Sequence, residues 1–182
     1  MNTAVSNIEV IKAKTSKIHD VDFDHLSFGS TFSDHMLECN YKDGKWQAPK
    51  VVPYQPITLD PSAKIFHYGQ SVFEGMKAYK DAKNDIYLFR PLDNWKRLNI
   101  SSKRLAIPEV PESYFMEGLK TLLKLDSEWI PKKEGSSLYV RPFIFATGKG
   151  FHASPANEYK FIIACAPSGA YFAGKVKVLI EE

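Results

Sequence analysis

SLYVRPFIFA, at residues 137–146, is the segment from which the fold of this chain is most readily inferred. It is rich in β-branched and aromatic residues, and this composition predicts a β-strand. Alternation across a strand separates the run into two faces, one with Tyr139, Arg141, Phe143 and Phe145 and the other with Leu138, Val140 and Ile144. An arginine among apolar neighbours needs an internal carboxylate or an anionic ligand, and both interpretations of Arg141 remain open at this point.

Further strands and two helices are predicted on both sides of this strand. Apolar side chains recur at helical spacing in residues 91–107, which begin with Pro-Leu-Asp, and in residues 112–129. Strand-like runs are residues 85–90, 159–166 and 175–182. Prolines at positions 49, 53, 56 and 61 favour extended segments and turns there, and residues 148–155 are predicted to form a loop.

These elements predict an α+β fold, with an antiparallel or mixed sheet and helices packed on one face. Residues 1–25 mix polar and isolated apolar residues and are interpreted as a loose N-terminal lead-in, with a short strand at about residues 8–13. Residues 26–172 are expected to form one domain.

The composition argues against several classes of function. The chain has 182 residues with 24 basic and 21 acidic side chains, a balance too even to indicate nucleic-acid binding. It contains no apolar run of about 20 residues that would indicate a membrane span. Cys39 and Cys165 are too far apart for a short metal-binding motif, and two thiols fit a reducing compartment such as the cytoplasm.

Several side chains could carry chemistry, and each also has a structural interpretation. Arg97 is either a surface arginine or a phosphate anchor, and spacing alone does not separate it from Arg90 or Arg104. The segment His67–Tyr68–Gly69 fits core packing as well as a binding site, and so do the aromatic residues at the loop edges, Phe28 and Tyr171–Phe172. The usual nucleophile, P-loop, dinucleotide and zinc motifs are absent from the sequence.

Five separated segments, taken together, resemble one family. They are SFGSTFSDHML at 27–37, HYGQSVFEGMKAY at 67–79, LFRPLDNWKRL at 88–98, SLYVRP at 137–142 and PSGAYFAGK at 167–175. Their order and spacing are similar to those of the N-terminal domain of branched-chain amino acid aminotransferases, which are fold-type IV enzymes that use pyridoxal 5′-phosphate (PLP).

The resemblance implies a reaction and a site. Such enzymes move the amino group of leucine, isoleucine or valine to 2-oxoglutarate, which gives a branched 2-oxo acid and glutamate. It implies that Arg97 binds the PLP phosphate and that Arg141 faces the substrate carboxylates. The residues implied to line the substrate pocket are Phe28, Tyr68, Phe73, Tyr139 and Tyr171. The loop at 148–155 would reach a neighbouring subunit's site, so a homodimer is expected.

The same resemblance implies that residues 26–172 are the small N-terminal domain and that residues 173–182 begin the connection to a missing C-terminal domain. It places the Schiff-base lysine of the family beyond Glu182, so no catalytic residue is assigned within these 182 residues. The chain alone is therefore expected to be inactive. Two alternatives remain open. One is a relative with D-amino acid aminotransferase or aminodeoxychorismate lyase activity, and the other is a non-catalytic binding or dimerisation module.

Overall fold

A computed structural model describes residues 8–170 and 175–180, and within them the chain forms one mixed sheet with helices. The strands are β1 (Glu9–Val10), β2 (His35–Lys42), β3 (Lys45–Trp46), β4 (Lys50–Pro53), β5 (Ser71–Phe73), β6 (Met76–Lys80), β7 (Ile86–Leu88), β8 (Ser137–Ala146) and β9 (Tyr159–Ser168). The α-helices are α1 (Lys64–Tyr68), α2 (Pro91–Arg104) and α3 (Glu112–Leu125).

The strand order is β1-β4-β2-β9-β8-β6-β7, with β3 on the edge of β2 and β5 paired to β8. The pairing is antiparallel except between β1 and β4, which makes the sheet mixed, as predicted. The predicted strand at 137–146 is confirmed as β8, which lies near the middle of the sheet and pairs along its whole length with β9. Strand β9 continues to Ser168, two residues beyond the predicted strand at 159–166.

Helices α2 and α3 cover one face of the sheet. Leu98 of α2 and Phe115, Leu119 and Leu122 of α3 are fully buried in the same core as Leu138, Val140 and Ile144 of β8. The side chain of Asn99 fixes the connection between the two helices, because it donates to and accepts from the backbone of Val110 at 3.0 Å each. Both predicted helices and their packing on one face are thus confirmed.

The opposite face of the sheet carries a smaller apolar cluster of Met36, Val52, Phe145 and Ile162. Phe143 packs against this cluster, and Tyr139 and Arg141 are on the same side of β8. The two faces predicted from the alternation of residues 137–146 are therefore confirmed, and the candidate site lies on the face away from α2 and α3.

Residues near the N-terminus are attached to the sheet. Strand β1 confirms a short strand within the predicted range, and the backbone N–H of Ala13 donates to His35 Nε2 at 2.8 Å. Asp34 accepts hydrogen bonds from the Lys17 backbone, the Ser16 hydroxyl and the Trp129 indole. The interpretation of this segment as loose is wrong for residues 13–17, because the buried side chains of Asp34 and His35 form hydrogen bonds with them.

One further expectation needs correction. The predicted strand at 175–182 is wrong for residues 175–180, which pair with no described strand and expose Val178, Leu179 and Ile180. The extended chain favoured by the prolines at 49–61 includes β4, and the helical turn α1 follows it and ends at Gly69, whose φ of 61° suits a residue without a Cβ. None of the described helices is both long enough and apolar enough to span a bilayer.

Candidate functional site

A cavity of about 560 Å³ opens on the sheet face opposite the helices. Its walls are mostly apolar, and they combine β8 and β9 with the loop before β2 and the segment after β4. The predicted site residues Phe28, Phe73, Tyr139 and Arg141 line it together with Phe32, Tyr54, Phe143 and Ile162. An apolar pocket with few polar groups is the usual form of a small-molecule site.

Arg141 is the positive charge of this cavity. Its Nη2 and Nε donate to the Tyr139 hydroxyl at 2.9 and 3.3 Å, and its Cζ lies 4.6 Å from the centre of the Phe73 ring. Within residues 8–170 and 175–180 it forms no ion pair with a carboxylate. The internal salt bridge considered from the sequence is therefore not formed there, and the guanidinium remains available to an anion.

Tyr139 and Phe28 build the wall beside this arginine. The two rings meet edge to face with centroids 4.9 Å apart. A side chain at position 75 would place its Cβ 2.5 Å from the Tyr139 hydroxyl, so glycine at this position leaves room for the tyrosine. Phe73 is 61% exposed, which leaves its ring open to a ligand.

Phe73, Glu74 and Gly75, which are the last residue of β5 and the two residues before β6, connect the two faces of the sheet. Because side chains alternate along extended chain, Phe73 and Gly75 face the cavity and Glu74 points to the opposite face. The backbone N–H of Glu74 donates to the carbonyl of Pro142 at 2.8 Å, which keeps the break in register with β8. We call these three residues the β5–β6 break.

Arg97 of α2 is held by this break. Its Nε and Nη2 donate to Glu74 Oε1 and Oε2 at 2.5 and 2.7 Å, and Asn94 Nδ2 donates to Oε2 at 2.9 Å. Burial of Glu74 by itself raises its pKa, but the hydrogen bonds from Arg97 and Asn94 outweigh this, so the pKa of Glu74 stays below its ordinary value. The carboxylate is nearly buried, whereas the Arg97 side chain is 67% exposed.

Tyr68 lies apart from the cavity, at the end of α1. Its hydroxyl donates to the carbonyl of Phe151 in the loop at 148–155. The same loop is fastened by Lys64, whose buried ammonium donates to the Ser154 carbonyl and hydroxyl at 2.9 and 2.7 Å. The structure thus places Tyr68 with this loop, and Tyr171 lies outside the described residues.

Sequence reasoning missed two groups at the site. Glu74 and Asn94 were not singled out, although strand alternation through residues 71–80 separates position 74 from positions 73 and 75. Phe32 and Tyr54, which stack with ring centroids 4.7 Å apart, come from loops without a periodic signal. No group of His, Cys, Asp or Glu that could hold a metal ion occurs among the described residues.

Comparison with known proteins gives concordant sequence matches. The chain is 43% identical to branched-chain-amino-acid aminotransferase 2 of Bacillus subtilis over 178 residues, which are 97% of this chain and 48% of that protein. It is 48% identical to the branched-chain-amino-acid aminotransferase of Mycolicibacterium smegmatis over 152 residues, which are 82% of this chain and 41% of that protein. The chain belongs to the branched-chain aminotransferase family, and it matches the N-terminal portion of these enzymes.

A solved structure of this family supports the fold assignment. The branched-chain amino acid aminotransferase of Escherichia coli matches at a TM-score of 0.54 and 28% identity, over 73% of this chain and 40% of that one. The chain spans about half the length of the curated branched-chain aminotransferases it matches. No protein-family model matches it.

Proposed function

We propose that this chain is the N-terminal, ligand-binding part of a PLP-dependent branched-chain aminotransferase. The complete enzyme would move the amino group of leucine, isoleucine or valine to 2-oxoglutarate. One observation carries the proposal: the β5–β6 break joins an exposed arginine, Arg97, to an apolar cavity that holds a second cation, Arg141. An anionic cofactor needs a cationic site, and a substrate with a carboxylate and an apolar side chain needs an apolar pocket that contains a cation.

The chemistry of Arg97 fits the phosphate of PLP. A guanidinium offers a rigid fork of N–H donors, and the exposure of this one leaves donors directed to solvent. PLP, when bound, supplies an electron sink for the bond changes at the substrate's α-carbon. The residues of this chain would hold the phosphate, shape the pocket and exclude water from it.

The cavity fits the two kinds of substrate that transamination requires. The rings of Phe28, Phe73 and Tyr139 would contact a branched aliphatic side chain. Arg141, with the Tyr139 hydroxyl beside it, would bind a carboxylate, including the distal one of glutamate or 2-oxoglutarate. One pocket could thus accept an apolar and an acidic side chain in alternate half-reactions.

The remaining assignments belong to the assembled enzyme. We propose that Tyr68 and Tyr171 complete the substrate site and that the loop at 148–155 contributes to a neighbouring subunit's site in a homodimer. Residues 26–172 would be the small domain, with residues 1–25 as its lead-in and 173–182 as the connection to the second domain. Free, buried thiols at Cys39 and Cys165 fit a cytoplasmic enzyme.

We also propose that the Schiff-base lysine lies outside these 182 residues and that this chain alone does not catalyse transamination. Incubation of the chain with PLP, L-leucine and 2-oxoglutarate is expected to give no glutamate above background. Glutamate formed by the isolated chain at a rate that scales with its concentration would contradict this.

The activity is tested with the complete protein that contains this chain. We expect glutamate formation from L-leucine, L-isoleucine and L-valine and none from D-alanine. Arg141→Ala should raise KM for 2-oxoglutarate by tenfold or more, because a hydrogen-bonded charge pair contributes about 1.5–3 kcal/mol. Arg104→Ala is the matched control, because it removes one exposed guanidinium from the last turn of α2, outside the cavity, and should leave this KM unchanged.

Transfer from D-alanine instead of the branched L-amino acids would indicate the D-amino acid activity. A complete protein that transfers no amino group and binds no PLP would favour a binding or dimerisation module.

A further inference from the structure

The orientation of the Arg97 guanidinium is set by a buried carboxylate. Glu74 accepts from Nε and Nη2, which are the two donors on one edge of the planar group. Asn94, on the same helix α2, donates to Glu74 Oε2, so the carboxylate is itself held in place. Glu74 is 5% exposed, in contrast to the exposed arginine that it binds.

We propose that Glu74 is a positioning residue for the cofactor phosphate, acting through Arg97, with Asn94 in support. This inference rests on the proposed function, since it assumes that Arg97 meets the phosphate of PLP. The edge of the guanidinium formed by Nη1 and the second N–H of Nη2 makes no hydrogen bond to a described residue. Glu74 thus fixes one edge and presents the other to an anion.

A fixed arginine binds a phosphate better than a mobile one. Exposed arginine side chains have many rotamers, and ordering them on ligand binding costs conformational entropy. The two hydrogen bonds to Glu74 impose that order before the ligand arrives. Because Glu74 follows Phe73 and precedes Gly75 in the β5–β6 break, the same contact fixes the phosphate anchor relative to the cavity.

The neighbouring arginine, Arg90 at the start of α2, lacks this arrangement. It also forms an ion pair, from its Nε to Asp93 Oδ2 at 2.5 Å, but its partner is 45% exposed and lies three residues along the same chain segment. Such surface pairs impose little order. Arg90 and Arg97 line the same surface cleft at the start of α2. Of the two, only Arg97 is paired with a buried carboxylate, that of Glu74.

One effect opposes the proposal. The negative charge of Glu74 repels a phosphate, so its removal would strengthen binding if charge mattered more than orientation. Glu74→Gln therefore separates the two effects, because it keeps the side-chain volume and removes the charge and one strong acceptor. If Glu74 acts mainly by orienting Arg97, Glu74→Gln should weaken phosphate binding. If the charge of Glu74 matters more, the same substitution should strengthen it.

The experiment compares PLP with pyridoxal, which lacks the phosphate, on the complete protein freed of cofactor. Dissociation constants are measured by absorbance titration for wild type, Glu74→Gln, Arg97→Ala and the double variant. We expect Glu74→Gln to weaken PLP binding about tenfold and to leave pyridoxal binding unchanged. In the Arg97→Ala background the second substitution should add no further loss. The control Glu38→Gln removes a part-buried carboxylate paired with Lys160 elsewhere in the sheet and should change neither constant.

Unchanged or tighter PLP binding in Glu74→Gln overturns the inference, and so does an equal loss for PLP and pyridoxal, which would indicate a structural role. If Glu74→Gln does not fold, Asn94→Ala should show the same selective loss for PLP at smaller size, and equal loss for both ligands overturns the inference in that variant too. A wild type that does not prefer PLP to pyridoxal contradicts the proposed function itself, which distinguishes the two failures.

Discussion

Gly75 shows how a single missing side chain shapes the site. A Cβ at this position would lie 2.5 Å from the Tyr139 hydroxyl and 3.2 Å from two ring carbons of the same tyrosine. The ring therefore occupies space that a larger residue at position 75 would claim. Since Tyr139 accepts the hydrogen bonds of Arg141, the glycine also determines where the cavity's cation lies.

We expect Gly75→Ala in the complete protein to displace the Tyr139 ring, raise KM for 2-oxoglutarate and destabilise the fold by about 1–3 kcal/mol, a typical cost of overpacking. Steady-state kinetics and urea unfolding measure the two effects. Gly118→Ala is the matched control, because its Cβ would meet Leu37 Cδ2 at 2.7 Å in the helix-side core. It should lower stability without changing KM, and a Gly75→Ala variant with unaltered KM would contradict this account of the tyrosine.

Part of the site follows from single residues in the sequence. Arg141 stands out because it interrupts an apolar strand, and alternation places Tyr139 on its face. The partnership of Glu74 with Arg97 does not follow, because 23 positions separate them and the contact depends on how α2 packs on the sheet. Spacing alone could not select Arg97 over Arg90 for the same reason.

At the scale of elements, the long periodic segments were predictable, and of the other elements only β1 and β7 lie within predicted strands. Strands β8 and β9 and helices α2 and α3 each have ten or more residues with a strong pattern. Strand β2 was missed, although Glu38 and Asn40 alternate with buried Leu37 and Cys39 in the pattern expected of a strand. Helix α1 has five residues between proline and glycine, too few for a helical period to appear.

The loop at 148–155 depends on Lys64, a buried ammonium that donates to Ser154 and approaches His152 Nε2 at 3.4 Å. We expect Lys64→Ala to increase the rate of amide hydrogen exchange in this loop more than tenfold, because charge-assisted hydrogen bonds of about 1.5–3 kcal/mol are lost. Lys149→Ala is the control, since that exposed lysine pairs with Asp60 at the loop's edge. Equal exchange in both variants would show that Lys64 does not anchor the loop.

The contact between Asp34 and the N-terminal segment predicts a pH dependence. Burial raises the pKa of Asp34, but hydrogen bonds from Lys17, Ser16 and Trp129 outweigh it and lower the pKa below the ordinary 3.8. The stabilisation is thus complete above the ordinary value and is lost as the pH falls through the lower value of the folded state. Urea unfolding between pH 6 and pH 3 should show a smaller loss of stability in Asp34→Asn than in wild type. Parallel profiles would contradict this assignment.

Across the whole molecule, the two faces of the sheet have different tasks. The face covered by α2 and α3 contains the main core, and the opposite face contains the cavity with Arg141. The β5–β6 break crosses between them, with Phe73 at the cavity, Gly75 against Tyr139 and Glu74 bound to Arg97. Under the proposed function, the phosphate-binding arginine and the substrate pocket therefore lie at fixed positions relative to each other.

The most direct test of this claim is a crystal structure of the complete protein with PLP and a branched carboxylic acid. We expect phosphate oxygens about 3 Å from Nη1 and Nη2 of Arg97, with Glu74 still on the other edge. We also expect the acid's carboxylate to meet Arg141 while its apolar end contacts Phe28 and Phe73. A phosphate bound away from Arg97, with that arginine paired to Glu74 alone, would show that Arg97 is not the phosphate anchor.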